Sequence, residues 1–375
     1  MPDLVALDLP AGPGFVDALQ RAWDDGNAVL PIDPRLPRPA VEGLLDTLRP
    51  SAVVDRTGWY PRSGGMPTEE GDALVVTTSG TTGIPKGAVL THQAVRASAL
   101  ATSERLAVDP ARDRWVACLP LAHVGGLSVV TRALVTGTPF TLLERFDAGT
   151  VEQEARRGAT LVSLVATALR RADISGYRSV LLGGAAPPGH LPANVVTTYG
   201  MTETGSGVVY DGRPLDGVEI RIGDGRIGEG GEVLVRGPML LRAYRDGTDP
   251  RVPGGWLPTG DAGVVSAGGT LSVHGRIAEV IVTGAEKVWP AAVEQLLAQH
   301  PGVAEVAIWK RPDPEWGERV VAWVVPTDAA SPPTLDGLRS AVAEQLAPWA
   351  APKELVLTSV LPRTPSGKVR RTALI

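Results

Sequence analysis

Residues 77–87 read Thr-Thr-Ser-Gly-Thr-Thr-Gly-Ile-Pro-Lys-Gly and follow an apolar, β-branched run that predicts a strand over 73–77. Successive hydroxyl and glycine positions expose backbone N–H groups and side-chain donors, which are the groups that bind a polyphosphate. Lys86 adds a cation. The stretch differs from a G-x-x-x-x-G-K-[ST] loop, since Gly87 follows the lysine. Composition alone leaves two interpretations open, a phosphate-binding loop or a flexible surface loop.

The segments that follow this loop alternate between helix and strand patterns. Helical periodicity covers 93–106 and 126–135, and strands are predicted at 115–119 and 180–182. Such alternation favours a layered, mostly parallel α/β sheet. Short strands separated by glycines, at 233–236 and 271–273 among others, predict a β-rich subdomain between 218 and 273.

The pattern changes after Gly275. A helix is predicted at 290–299, strands at 303–309 and 319–325, a helix near 334–346 and a strand at 355–357, which together make a small α+β domain. A chain of 375 residues exceeds what one core usually holds. We therefore expect a large N-terminal domain over 1–277, built of layered α/β subdomains and a β-rich subdomain, and a small C-terminal α+β domain over 278–375.

Composition narrows the class of protein. The formal net charge of −5 provides no basic field for a phosphate backbone, so no nucleic-acid partner is expected. A single cysteine, Cys118, excludes an internal disulfide and suits a reducing compartment. The first residues do not read as a signal peptide, and no apolar run approaches the ~18 residues of a membrane span. We expect a cytoplasmic protein without membrane insertion, whose oligomeric state the sequence leaves open.

Further motifs follow in order along the chain: LPLAH at 119–123, GGAA at 183–186, YGMTET at 199–204, TGD at 259–261, GR at 275–276 and PSGK at 365–368. Together with 77–87 they resemble the signatures of the adenylate-forming superfamily, which includes acyl-CoA synthetases, adenylation domains of peptide synthetases and luciferases. The resemblance covers nearly the whole chain. It implies that ATP activates a carboxylic acid as an acyl-adenylate and that the acyl group then passes to coenzyme A.

The resemblance also implies a nucleotide site. Tyr199 would present a flat face to adenine, and Asp261 would accept hydrogen bonds from the ribose hydroxyls. Taken alone, Asp261 is more simply interpreted as a turn aspartate after glycine. The implied nucleotide-binding residues are Thr78, Ser79, Gly80, Thr81, Thr82, Gly83, Lys86, Gly184, Ala185, Ala186, Tyr199, Gly200, Met201, Asp261 and Arg276.

Activation of the acid brings a carboxylate against the α-phosphate, so catalysis has to come from positioning and charge neutralisation. The implied catalytic residues are Lys368, Thr202, Glu203 and His123. Thr202 would donate to the α-phosphate, Glu203 would hold Mg²⁺, and Lys368 would bridge the two anions. His123 is expected to form a wall or gate of the acyl pocket.

The resemblance implies that the small domain rotates before the second half-reaction, the transfer of the acyl group to coenzyme A. The small domain is therefore expected to be mobile. Two positions depart from the family pattern. Ala278, with Glu279 beside it, occupies the position of an acidic hinge residue, and Gly284-Ala285 replaces a glycine pair on the wall of the pantetheine channel.

Small residues after Glu203 leave room for a compact polar or aromatic acid. Together with the early phosphate loop, they resemble the o-succinylbenzoate–CoA ligases of menaquinone biosynthesis. That acid has a second carboxylate, and Ser206 and Arg213 are hypotheses for its contact. The alternatives are another aryl- or acyl-CoA synthetase, an enzyme that loads a carrier-protein thiol, and a nucleotide-binding module without catalysis. The combination of Lys368, Glu203 and Asp261 argues against the last.

Overall fold

A computed structural model describes residues 1–78, 85–187, 189–223, 230–363 and 369–374. The helices are α1 (Pro13–Asp24), α2 (Arg38–Leu48), α3 (His92–Arg105), α4 (Val124–Thr136), α5 (Ala148–Arg156), α6 (Ala166–Leu169), α7 (Pro290–Leu297) and α8 (Leu335–Ala343). The strands are β1 (Leu4–Asp8), β2 (Ala28–Pro31), β3 (Ala52–Asp55), β4 (Gly58–Pro61), β5 (Asp72–Thr78), β6 (Lys86–Thr91), β7 (Trp115–Ala117), β8 (Phe140–Leu142), β9 (Leu161–Val165), β10 (Ser179–Gly183), β11 (Val195–Met201), β12 (Ser206–Tyr210), β13 (Arg213–Pro214), β14 (Glu219–Gly223), β15 (Gly231–Arg236), β16 (Ala243–Tyr244), β17 (Leu257–Val265), β18 (Leu271–Arg276), β19 (Ile281–Thr283), β20 (Glu286–Val288), β21 (Val303–Asp313), β22 (Gly317–Pro326) and β23 (Glu354–Leu357).

The described chain divides into two compact units. The first comprises Met1–Pro187, Leu191–Ile220 and Val235–Leu257, and the second comprises Pro188–His190, Arg221–Leu234 and Pro258–Ile375. The predicted domain boundary between 277 and 278 falls within the second unit and stays a prediction. Within the described ranges, no helix combines the length and the apolar character needed to cross a membrane.

Two seven-stranded sheets form the frame of the first unit. Their strand orders are β16-β6-β5-β2-β1-β3-β4 and β13-β12-β11-β10-β9-β7-β8. The central strands run parallel, and strands such as β2 and β7 are buried along their whole length. Parallel strands that are covered on both faces need continuous apolar runs, which is how they read in the sequence. The predicted layered α/β architecture is confirmed.

Helices α3 and α4 pack on each other, α3 also against β5 and β6 and α4 against β7 and β9. Every residue of α4 from Gly126 to Ala133 is buried. A Cβ at Gly126 would lie 2.3 Å from the carbonyl oxygen of Leu119, so only glycine allows the helix to begin this close to the preceding loop. His123, the last residue of the LPLAH motif, is the N-cap of this buried helix.

The second unit contains a four-stranded sheet, β14-β15-β17-β18, and a five-stranded sheet with the path β20-β19-β22-β21 and with β23 paired to β22. Helices α7 and α8 pack together beside the second of these sheets. Their shared core contains Ile281, Val293, Ile308 and Val320, all fully buried. The order α7-β21-β22-α8-β23 confirms the predicted small α+β arrangement and the β-rich region that precedes it.

The Gly284-Ala285 turn supports a stability prediction. Both residues adopt a left-handed backbone, with φ of 59° and 69°. For Ala285, which has a Cβ, this costs about 1–2 kcal/mol, partly offset by the lower unfolded-state entropy of alanine. We expect Ala285→Gly to raise the free energy of unfolding by about 0.5–1 kcal/mol in urea denaturation. Gly284→Ala should lower it, because its Cβ would lie 2.5 Å from Cε3 of Trp316. Equal effects of the two changes would contradict this account.

Candidate active site

The seven-stranded sheet β13-β12-β11-β10-β9-β7-β8 places three predicted motifs at the carboxyl ends of its parallel strands. Strands β7, β9, β10 and β11 are parallel, so their carboxyl ends lie together, where ligands of open α/β sheets usually bind. His123 follows β7, the 184–186 segment follows β10, and Thr202 and Glu203 follow β11. The described structure thus brings together residues that are far apart in sequence.

Residues 184–186 follow strand β10, and Tyr199 lies on the neighbouring strand β11. Leu182 of β10 pairs with Thr197 of β11, so the exposed 184–186 segment leaves the sheet beside Tyr199. Gly184 has a φ of 85°, a conformation that suits glycine. A backbone with small side chains beside an aromatic ring can cover a flat base, so this geometry allows the nucleotide-binding role of Ala185 and Ala186, which stays a prediction.

A tight turn at the end of β11 positions Glu203. Residues Thr202–Thr204 form one turn of 3₁₀ helix, closed by Thr204, whose hydroxyl accepts a hydrogen bond from Met201 N and donates one to Ser206 O (2.9 and 2.7 Å). A Cβ at Gly200 would lie 2.1 Å from Ser206 O, so glycine is required where β11 and β12 come close. The turn leaves the Thr202 and Glu203 side chains half-buried at the sheet edge.

The phosphate loop is described only at its two ends. Thr78 ends β5 and pairs with Lys86, the first residue of β6, while Ser79, Gly80, Thr81, Thr82 and Gly83 lie outside the described residues. Lys86 places its ammonium 4.8 Å from the ring centroid of Tyr244, a cation–π distance. The hydroxyl of Tyr244 donates to Oε1 of Glu203 at 2.9 Å. Lys86 and Glu203, predicted separately, therefore meet through Tyr244, which the sequence interpretation missed.

His123 faces an anion. Its Nε2 lies 3.8 Å from Oδ2 of Asp33, a buried carboxylate that also forms an ion pair with Arg35. Burial raises the pKa of Asp33, but the hydrogen bonds and charge of Arg35 outweigh this and hold the pKa below its ordinary value. Asp33 therefore stays ionised beside His123. The role of His123 as a wall or gate of the acyl pocket stays a prediction.

Asp261 and Arg276 pair across strands β17 and β18 of the second unit. The Nε of Arg276 lies 3.0 Å from Oδ1 of the buried Asp261, and its Nη1 donates to the carbonyl of Thr259 at 2.8 Å. This pair presents acceptors and donors side by side, a combination suited to ribose hydroxyls. Lys368, the remaining predicted catalytic residue, lies outside the described residues.

Glu203 fits Mg²⁺ as a ligand. Within the described residues no group of three or more His, Cys, Asp or Glu side chains could hold a metal. Mg²⁺ is commonly held by one or two carboxylates together with substrate phosphates, and the half-buried carboxylate of Glu203, linked to Lys86 through Tyr244, is compatible with that role.

A buried arginine lies behind the 202–206 turn, and the sequence interpretation missed it. Arg132 of α4 is 1% exposed, and its Nη2 donates to Ser206 Oγ at 3.4 Å. Its guanidinium stacks on the ring of Trp115, with 5.0 Å to the centroid. Among the described residues, neither Nε nor Nη1 has a hydrogen-bond acceptor. Burial lowers the pKa of Arg132, yet a guanidinium remains protonated in proteins.

Arg132 borders a cavity of about 10 Å³, room for about one water molecule, lined also by Ser128, Thr131 and Gly205. Of the two positions considered from sequence for a second carboxylate, Ser206 lies against Arg132, whereas Arg213 is exposed on β13. The sequence did contain a signal for Arg132, because it is an arginine inside an otherwise apolar helix pattern. A charged residue at such a position is seldom buried without a partner.

Comparisons with known proteins show which family the chain resembles along its length. The family model described as AMP-binding enzyme matches residues 60–245, and the model described as AMP-binding enzyme C-terminal domain matches residues 292–368. A Mycobacterium tuberculosis protein named "Probable 2-succinylbenzoate--CoA ligase" is 38% identical over 99% of this chain and 97% of its own length. A 2-succinylbenzoate–CoA ligase of Bacillus cereus is 34% identical over 80% of this chain and 69% of its own.

Solved structures are similar over the whole chain. The o-succinylbenzoate CoA synthetase of Bacillus subtilis, in complex with its acyl-adenylate intermediate, has a TM-score of 0.88 and 28% identity, and the match covers 99% of this chain and 88% of that one. The same synthetase with ATP and magnesium has a TM-score of 0.86 and 27% identity, with 99% and 89% covered. MatB from Rhodopseudomonas palustris, at 22% identity, 100% and 88% coverage and a TM-score of 0.85, shares the fold.

Proposed function

This chain belongs to the AMP-binding enzyme family, and from that premise we propose that it is an ATP- and Mg²⁺-dependent acid–CoA ligase that converts o-succinylbenzoate to o-succinylbenzoyl-CoA. Relatives and structural neighbours that carry this activity in their names match nearly the whole chain, which supports the proposal. The proposal places the enzyme in the cytoplasm, and its partners are the acid, ATP and coenzyme A.

The observation that carries the choice of acid is the buried charge of Arg132. A cation inside a protein is costly unless an anion compensates it. Arg132 is fully buried, and its side chain is described with one long hydrogen bond to Ser206 and a contact with the ring of Trp115. It lies behind the turn that holds Glu203. A dicarboxylic acid supplies the missing anion. Its second carboxylate would bind Arg132 through one bridging water in the adjoining cavity, while the first is activated.

The first step joins a carboxylate oxygen of the acid to the α-phosphorus of ATP, and pyrophosphate leaves. Thr202 is assigned a hydrogen bond to the α-phosphate, and Lys86 neutralises charge at the end of the phosphate loop. Glu203 would hold Mg²⁺, which supplies positive charge to the phosphates when bound. His123 forms part of the acyl wall, and Tyr199 lies against adenine.

Asp261 and Arg276 are assigned to the ribose, and Lys368 to neutralising the carboxylate and the α-phosphate. In the second step the sulfur of coenzyme A attacks the acyl carbon of the adenylate, the acyl–phosphate bond breaks, AMP leaves and the thiol proton is released. A free thiol has a pKa of about 8.5, so orientation of the thiol contributes more than a strong base.

The test is pyrophosphate release across a panel of acids, with and without coenzyme A. The panel should contain o-succinylbenzoate and its two matched analogues, each lacking one of the two carboxylates. We expect release with o-succinylbenzoate, thioester only when coenzyme A is added, and a weakened response to the analogue that keeps only the reacting carboxylate. Equal use of that analogue would contradict the assigned acid. ATP binding without release from any acid would contradict the ligase activity itself.

A further inference from the structure

Two hydrogen bonds connect Glu203 to the segment that ends in β16. The backbone N–H of Leu241 donates to the carbonyl of Glu203 at 2.7 Å, and the hydroxyl of Tyr244 donates to its Oε1 at 2.9 Å. The same short segment therefore fixes both the backbone and the side chain of the carboxylate. The turn at 202–204 alone fixes only the backbone.

Tyr244 is itself held on several sides. Its strand pairs with β6, where Tyr244 lies opposite Ala88, and its N–H donates to Thr248 O at 2.8 Å. The ammonium of Lys86 lies over its ring, 4.8 Å from the centroid. A tyrosine fixed at its backbone and ring has a hydroxyl in a defined place, so it can select one orientation of Glu203.

The chemical type of the donor matters for a metal ligand. An ammonium or guanidinium beside Glu203 would orient it but would also compensate the charge that attracts a cation. A neutral phenol orients the carboxylate and leaves its charge in place. One hydroxyl supplies one hydrogen, while a carboxylate has about four lone-pair sites, so acceptor capacity remains for an ion.

We propose that Tyr244 is a positioning residue for the metal-binding function of Glu203: its hydroxyl fixes the carboxylate in the orientation that receives Mg²⁺ with ATP. This inference rests on the proposed function, because it takes Glu203 as the Mg²⁺ ligand. Partners that orient a metal ligand from behind typically change metal affinity about 10–100-fold when removed. Loss of the hydroxyl should therefore appear in the dependence on Mg²⁺ and leave the affinity for metal-free ATP nearly unchanged.

The test compares Tyr244→Phe with the parent protein and with Tyr177→Phe. Phenylalanine keeps the ring under Lys86 and removes only the hydroxyl. Tyr177 is a matched control, since it is buried and its hydroxyl donates to the Val151 carbonyl at 2.6 Å, away from the proposed site. ATP binding is titrated by calorimetry with EDTA and at a series of Mg²⁺ concentrations, and pyrophosphate release with o-succinylbenzoate is followed over the same series.

We expect Tyr244→Phe to need about 10–100 times more Mg²⁺ for half-maximal ATP binding and half-maximal pyrophosphate release, whereas Tyr177→Phe follows the parent. Unchanged Mg²⁺ dependence in Tyr244→Phe would overturn the inference and leave the ligase activity standing. Equal weakening of ATP binding with and without Mg²⁺ would also overturn it, because that result indicates a structural role. If no acid releases pyrophosphate but the Mg²⁺ shift in ATP binding is present, the ligase proposal fails and the inference holds.

Discussion

Replacing Arg132 with methionine is expected to stabilise the protein and to remove most of its activity toward o-succinylbenzoate. Arg132 is fully buried and, within the described residues, has no carboxylate partner, so an apolar side chain of similar length avoids the desolvation cost. Replacement of buried charges by packed apolar groups has stabilised other proteins by about 1–4 kcal/mol. The acid loses a charge-assisted contact, which should raise its KM by roughly a hundredfold.

The matched control is Arg245→Met. Arg245 is also buried, but it donates to the carbonyls of Leu48, Met66 and Pro67. Its removal leaves several acceptors without donors and should lower the free energy of unfolding by about 3 kcal/mol, with no change in the KM for the acid. Urea denaturation and pyrophosphate release measure both quantities. An Arg132→Met protein that is destabilised, or that keeps the parent KM, would show that Arg132 serves the fold.

Lys368→Ala is expected to reduce acyl-adenylate formation by about 10²–10³-fold, because a preorganised cation at the point where two anions meet contributes to transition-state stabilisation. The prediction comes from the PSGK motif at 365–368 and not from observed geometry. Transfer of the acyl group from supplied adenylate to coenzyme A needs no such neutralisation and should proceed at close to the parent rate. Pyrophosphate exchange and thioester formation measure the two steps separately.

Lys310→Ala provides the control for a lost ammonium. Lys310 forms an ion pair with Glu318 at 2.8 Å, and its side chain is about one-third exposed, so its removal should leave both steps unchanged. Equal pyrophosphate exchange in Lys368→Ala and the parent would remove Lys368 from the catalytic residues. A parallel loss of both steps would indicate damage to the fold of the small domain.

Much of the fold was predictable because its signals are local. The β-branched run at 73–77 became β5, the periodic segment at 93–106 became α3 within one residue at each end, and the C-terminal α-β-β-α-β order was observed. Buried parallel strands require continuous apolar runs and surface helices require periodic ones, so these patterns are visible in sequence. The extent of β21, which reaches Asp313, was underestimated, because its polar end is held by pairing with β22 and not by composition.

The sequence by itself determined the reaction class, because motifs such as TTSGTTG, YGMTET and TGD are contiguous and their order is readable without a structure. It also predicted Glu203, Asp261 and Arg276 as site residues, and the structure adds that Asp261 and Arg276 pair with each other. Only the tertiary structure revealed Tyr244 and Arg132, since each contacts a partner far along the chain: Tyr244 donates a hydrogen bond to Glu203, and Arg132 donates one to Ser206. A tyrosine or an arginine has many ordinary uses. What distinguishes these two is burial for Arg132 and a hydrogen bond to Glu203 for Tyr244, and both arise only when distant segments pack together.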